Sequence, residues 1–318
     1  MTKTDRTAGY PNARAASQAI KAAAQHAKRQ GSLPIDSLIR QVTFDRFLCR
    51  IFHPETPSFV LKGGTGMLAR IPNARTTLDV DLTATTRALD DAVNELITLA
   101  QADLGDHFRF EFRSRRTQMQ GENQPYTNGS HLTFNVFLGT ASRGQLKIDL
   151  AAGYAPTGTI TRHSPANRLT QLRFETRDYL LYPVVDQISD KICATMQPIG
   201  PQREPSNREK DLIDLALLAT TERIDATELR HALATETRRR QMAPITAFTT
   251  PSQWGPTYRT LAQTTPLAQT LPTSTEAAAL IATLVNPILT GDITTGTWDP
   301  TRTTWVPRSS LDPETRTT

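Results

Sequence analysis

The chain has 318 residues, 38% of them hydrophobic and 21% charged, enough for two domains of ordinary size with a real core. Lys and Arg number 36 against 31 for Asp and Glu, a net charge of +5 that permits a polyanionic partner without demanding one. Two distant cysteines, Cys49 and Cys193, with no Cys-x-x-Cys, exclude a structural zinc site and a disulfide framework and fit a reducing cytoplasm. No apolar run reaches the roughly 18 residues of a membrane span, and the polar start Met1-Thr2-Lys3-Thr4-Asp5-Arg6 is not a signal peptide.

After a loose lead-in, Asn12 is placed to cap a helix predicted over 13–29, rich in Ala and basic residues. Pro34 opens a second, over about 35–52, with Ile35, Leu38, Ile39, Val42, Phe47, Leu48 and Ile51 at helical spacing, ended by Pro54 and Pro57. Ser58-Phe59-Val60-Leu61 reads as a short buried strand running into a Gly63-Gly64 turn, a short helix over Thr65–Ile71, and a strand over Leu78–Leu82. An amphipathic helix over 88–103 precedes three strands, near 107–117, 131–138 and 145–150, whose alternation marks one wet face. A Gly/Asn/Pro-rich loop, Gly121 to Gly129, joins the first two.

From Pro183 the pattern turns helical: Val184, Val185, Ile188, Ile192 and Met196 mark one helix, Leu212, Ile213, Leu215 and Leu218 another, with more near 225–240 and 274–287. The domain boundary is therefore expected near 180, giving units of 1–180 and 181–318. The Thr-rich stretch around 246–273 and the tail after 291 carry little pattern, and the end beyond about 305 is expected to be disordered.

Chemistry concentrates in Phe59-Val60-Leu61-Lys62-Gly63-Gly64-Thr65-Gly66 and Arg75-Thr76-Thr77-Leu78-Asp79-Val80-Asp81-Leu82. Asp79 and Asp81 share one face of their strand, with Leu78, Val80 and Leu82 expected on the other. Two carboxylates on one face suit a hard cation such as magnesium, which takes carboxylates plus substrate phosphates. Asp149, between Ile148 and Leu150, points to the wet face and is the third carboxylate. Adjacent glycines let a backbone approach a phosphate, although a Gly-Gly pair alone also makes a plain tight turn.

Lys62-Gly63-Gly64-Thr65 followed by Arg-x-Thr-x-Asp-hydrophobic-Asp resembles the AbiEii/MenT-type nucleotidyltransferase toxins of the DNA polymerase β-like nucleotidyltransferase superfamily. Asp186-Gln187-Ile188-Ser189-Asp190-Lys191-Ile192-Cys193-Ala194 is similar to that family's lysine-bearing helix, and Arg208-Glu209-Lys210-Asp211-Leu212-Ile213-Asp214-Leu215 to its closing motif. The resemblance covers roughly 58–218. It implies an α/β (α+β) fold: a polymerase β-like domain with a mixed sheet and flanking helices, then a mainly helical C-terminal domain contributing Lys191 and Asp211.

By the same resemblance, Gly63, Gly64 and Thr65 hold nucleotide phosphates, with Lys62 beside them. Asp79 and Asp81 bind magnesium, two ions with Asp149 as third ligand. Lys191 neutralises the triphosphate, and Asp211 orients Lys191 or the nucleotide. On its own pattern, Lys191 reads equally as a solvated residue beside the Ile188/Ile192 stripe, and Asp211 as a helix-start carboxylate. The implied reaction is transfer of a nucleoside monophosphate from NTP to the acceptor arm of tRNA by a toxin with a cognate antitoxin. Alternatives are a protein or small-molecule hydroxyl as acceptor, or a non-catalytic nucleotide-binding protein. Thr77, two residues before Asp79, is a candidate phosphosite for a partner kinase, since phosphate there would oppose the carboxylates. Arg109, Arg113, Arg115 and Arg116, with Arg162, Arg168, Arg173, Arg177 and Arg238-Arg239-Arg240, are the candidate RNA-facing cations; each cluster alone also reads as solvated surface.

Overall fold

A computed structural model describes residues 9–31, 33–85, 88–118, 128–198 and 204–307. It divides into two compact units, Met1–Ala155 with Ile160–Tyr182, and Pro156–Thr159 with Pro183–Thr318. The expected boundary near 180 falls two residues from the observed one; the exchange of 156–159 has no counterpart in the sequence pattern.

In the first unit α1 (Ala13–Arg29) begins where the Asn12 side chain accepts from the Ala15 amide at 2.9 Å. Then come α2 (Ile35–Ile51), β1 (Phe59–Lys62), α3 (Gly63–Arg70), β2 (Asp79–Ala84), α4 (Leu89–Ala100), β3 (Phe108–Gln118), β4 (Asn128–Leu138), β5 (Ala141–Ala152), β6 (Thr161–His163) and β7 (Tyr179–Leu181). The strands form one mixed sheet in the order β3-β4-β5-β2-β1-β7-β6. β2 runs parallel to β5 and antiparallel to β1, while β3, β4 and β5 form an antiparallel meander.

Alternation sets the core. Phe108, Phe110, Leu132, Phe134, Val136, Ile148, Val80 and Leu82 turn to one face and pack with Phe47, Leu48 and Ile51 of α2 and with Val93 and Leu96 of α4. Two arginines of α2 lie inside this core. Arg50 is 1% exposed and grips Asp106 with both terminal nitrogens, at 2.9 and 2.7 Å, while donating to the carbonyls of Ala102 and Phe108. A buried charge is tolerable only when paired and hydrogen-bonded in this way. Cys49 and Cys193 are both buried, and burial, the leading cause at each, pushes the thiols up to about 11 and about 12, so they pack as inert apolar groups.

The second unit holds α5 (Val184–Met196), α6 (Glu209–Thr221), β8 (Ile224–Asp225), α7 (Ala226–Arg239), α8 (Pro256–Thr264), a 3-10 turn over Pro266–Thr270, α9 (Ser274–Thr290), β9 (Thr297–Asp299) and β10 (Thr304–Val306). β8, β9 and β10 make a small antiparallel sheet. The stretch over 246–273 is thus not patternless: Pro256 starts α8 at its first turn and a Thr273/Glu276 capping box starts α9. Residues 292–307 likewise form a packed element, because Trp298 is fully buried and its indole donates to the Ala219 carbonyl at 2.7 Å. The expected loop at 121–129, up to residue 127, and the expected disorder past 307 lie outside the described residues.

No helix among the described residues is long and apolar enough to cross a membrane.

Candidate active site

The β1–α3 junction is built around glycine for steric reasons. Gly63 has φ +60°, a conformation L side chains rarely adopt. A Cβ there would also lie 1.8 Å from Asp81 Oδ2, and one on Gly64 would lie 2.9 Å from the Cβ and Oγ1 of Thr77. The glycines therefore let the turn settle directly on β2.

Asp79 and Asp81 both stand half-buried on the face of β2 opposite the core, as period-two spacing requires. Leu78 departs from expectation: it lies outside the strand and is 70% exposed. The Asp79 carboxylate accepts from the Thr77 hydroxyl at 2.7 Å, and its backbone carbonyl accepts from the Thr65 hydroxyl at 2.7 Å. Both threonines are nearly buried. The Thr65 hydroxyl clamps α3 to β2, a role the sequence did not suggest, while the Thr77 hydroxyl orients the Asp79 carboxylate.

Register brings the third carboxylate in. Asp81 pairs with Asp149 across β2 and β5, with Lys62 across β1 and β2, and Asp149 pairs with His131 across β4 and β5. Cross-strand partners share a face, so Arg116, His131, Asp149, Asp81 and Lys62 form one row across five strands. His131 Nδ1 lies 2.6 Å from Asp149 Oδ1. Sequence reading passed over His131; its only signal was its polar phase in an alternating strand. Among the described residues, no three His, Cys, Asp or Glu side chains close into a cage for an ion. The donor set still fits magnesium, whose preferred surroundings are one or two carboxylates plus water and substrate phosphate rather than an all-protein cage.

In the second unit, Lys191 of α5 is 7% exposed, not solvated. Its Nζ donates to Asp211 Oδ1 at 2.8 Å and to Asp214 Oδ2 at 2.7 Å, from two carboxylates three residues apart on one face of α6. Arg208 donates to the other oxygen of Asp211. Burial alone would raise the Asp211 carboxyl; the charges of Lys191 and Arg208 outweigh it and hold it well below the usual carboxylate range. Asp186, in the first turn of α5, accepts from the backbone N–H and hydroxyl of Thr157 and from the Gly158 amide at 2.7–2.8 Å. This tie is why residues 156–159 belong to this unit.

The expected cations are less uniform than their sequence clustering. Arg115 turns to Asp90 at 2.6 Å and to Ser130, and Arg109 pairs with Glu111 at 2.9 Å. A register shift between Phe112 and Ser114 makes Arg113 the extra residue of a bulge, so plain strand alternation does not put it on one face with Arg109.

The fold is that of a nucleotidyltransferase. It matches MenT4, a nucleotidyltransferase toxin from Mycobacterium tuberculosis, at 19% identity over 71% of this chain and 74% of that one, with a TM-score of 0.51. JHP933 from Helicobacter pylori is matched at 14% identity over 82% of this chain and 96% of that one, with a TM-score of 0.43. The chain belongs to the AbiEii family, the nucleotidyl transferase toxins of type IV toxin–antitoxin systems, whose model matches residues 46–283. No curated protein matches the chain.

Proposed function

We propose that this nucleotidyltransferase toxin moves a nucleoside monophosphate from NTP to the 3′ end of tRNA, with magnesium, and so blocks aminoacylation and translation. The observation that carries the reading is the approach of Asp79, Asp81 and Asp149 on one sheet face, beside a glycine turn that leaves no room for a side chain. Carboxylates brought together in this way repel unless a cation joins them.

Asp79, Asp81 and Asp149 would hold the metal, which when bound supplies charge neutralisation for the triphosphate and activates the attacking oxygen. The terminal ribose hydroxyl attacks the α-phosphate, a new P–O bond forms, and pyrophosphate leaves in line. Lys62, Gly63, Gly64 and Thr65 form the phosphate-facing turn, with backbone N–H groups as donors and Thr65 bracing the turn against β2. By the family resemblance Lys191, held by Asp211 and Asp214, would be the cation for the triphosphate, with Asp211 fixing its position. Positioning and electrostatics supply most of the rate.

Membership of a toxin–antitoxin family implies an antitoxin. We propose that one route of control is phosphorylation of Thr77 by a kinase. Phosphate would replace the hydroxyl donated to Asp79 by negative charge against it. Because Thr77 is only 9% exposed, modification requires the segment before β2 to open first.

The test is incubation of total tRNA with each α-labelled NTP and magnesium, wild type beside Asp81→Ala. Label in tRNA with wild type alone supports the reading and names the nucleotide. Label in protein or in no polymer, with nucleotide binding intact, overturns it.

A further inference from the structure

The row of Lys62, Asp81, Asp149, His131 and Arg116 does not end at the carboxylates. On the β5–β4–β3 side the sheet continues as an open face. Its solvent-facing residues are His131, Thr133, Asn135 and Phe137 of β4, Lys147 of β5, and Arg109 and Glu111 of β3, before the bulge at Arg113 brings Arg116 level with His131. Arg113, Arg116 and Lys147 are exposed and form no ion pair among the described residues. Among the described residues this face carries two acids beyond the row: Asp79, opposite Lys147 across β2 and β5, and Glu111, matched to Arg109. At its far end the Arg109 guanidinium lies over the Phe137 ring, 4.8 Å from the centroid. From His131 to Phe137 is six strand residues, about 20 Å of track.

Charged side chains on an edge strand also guard against sheet extension, and that alone would account for Arg113 and Arg116. It does not account for Lys147, which belongs to an interior strand, or for a half-exposed ring capped by a guanidinium. Cations spaced along a groove that ends in an aromatic–arginine stack are instead what a single nucleic-acid strand needs: charge for the phosphates and a flat surface for a base. Direction follows from the reaction. With triphosphate on the β1–α3 turn, an in-line nucleophile must arrive from the opposite side of the carboxylates, which is the β5–β4–β3 side.

We propose that this face is the docking track for the single-stranded 3′ end of an RNA acceptor, with phosphates on Lys147 and Arg116 and a base stacked at Phe137 and Arg109. The inference rests on the RNA-acceptor reading above. The terminal hydroxyl sits at Asp149, and nucleotides before it run toward Phe137.

The test measures steady-state label transfer to tRNA for wild type, Lys147→Glu, Arg116→Glu and Phe137→Ala, with KM for RNA and for NTP determined separately and melting temperatures checked. The track predicts an RNA KM raised on the order of tenfold by Phe137→Ala, restored by Phe137→Tyr, with NTP KM unchanged. It also predicts a salt dependence of RNA binding that flattens by about one unit of slope for each cation removed. Arg116→Gln, milder to the fold, must move RNA KM in the same direction. Wild type that labels RNA while folded variants keep its RNA KM and salt slope overturns the track and leaves the reaction standing. Wild type that labels no RNA overturns both.

Discussion

Gly63 and Asp81 occupy space that a single methyl group would dispute: a Cβ on Gly63 would fall 1.8 Å from the Asp81 carboxylate oxygen. The turn and the carboxylate are therefore fitted to each other, and neither can be altered without moving its neighbour. Gly63→Ala combines this clash with a left-handed backbone that costs roughly 1–2 kcal/mol for an L residue. Gly31, with φ +84° and nothing within 4 Å of its Cβ position, isolates the backbone part. Gly31→Ala should lose about that much stability by denaturant unfolding and keep full transfer activity. Gly63→Ala should lose more and abolish transfer; an active Gly63→Ala enzyme would refute the fit.

His131 meets Asp149 through Nδ1 at 2.6 Å, so it fixes the carboxylate that faces Asp81. Partners that orient a ligand typically contribute about 10–100-fold in metal affinity or activity. His131→Ala should therefore raise the magnesium concentration needed for half-maximal rate by at least tenfold, with the melting temperature nearly unchanged. Calorimetric titration with magnesium and a non-hydrolysable NTP provides a second readout, in which an unaltered metal affinity would assign His131 to packing alone.

Periodicity made the long elements legible. The helix expected over 13–29 is α1 residue for residue, and β3 to β5 follow the alternation of apolar and polar residues. It failed where burial is achieved by few residues: β6 and β7 span three residues each, and β9 and β10 depend on Trp298 and Trp305 within a Thr-rich tail. In the candidate site, the common face of Asp79, Asp81 and Asp149 was readable because a period of two fixes the face of a strand. Register is not encoded locally, so the pairing of Asp149 with Asp81, and the presence of His131, required the sheet. Arg46 and Arg50 were hidden for the opposite reason: charged residues on an amphipathic helix read as solvated, and their burial is explained only by partners in the folded chain, Asp106 for Arg50 and Asp45 with the Glu175 carbonyl for Arg46.

That pair gives a prediction independent of catalysis. Removing one partner of a buried pair leaves an uncompensated charge, at about 3–5 kcal/mol. Asp106→Ala should lower stability by that amount, and transfer measured well below its melting temperature should persist. Replacing Arg50 and Asp106 together with Met and Leu should recover most of the loss. Equal destabilisation of the single and double variants by urea unfolding would show that the cost is one of volume rather than charge.

Lys191 must be tested with its carboxylates in mind. It is buried between Asp211 and Asp214, so its loss removes the cation that, with Arg208, holds the Asp211 carboxyl low. A carboxyl depressed in the folded state contributes stability that is fully present above its unfolded pKa, about 4, and is lost as pH falls through its folded value. Wild type should thus lose stability on acidification below about pH 4. Lys191→Met should be destabilised at neutral pH by about 3–5 kcal/mol, because two buried carboxylates lose their shared partner. Its deficit should narrow as the pH falls and the Asp211 carboxylate protonates. Paired denaturation curves from pH 7 to pH 3 decide the matter: a deficit that stays constant would mean that Asp211 and Asp214 do not depend on Lys191. Loss of transfer in Lys191→Met then counts toward a triphosphate role only where folded protein is present, and NTP binding measured at that temperature is the comparison that separates the two.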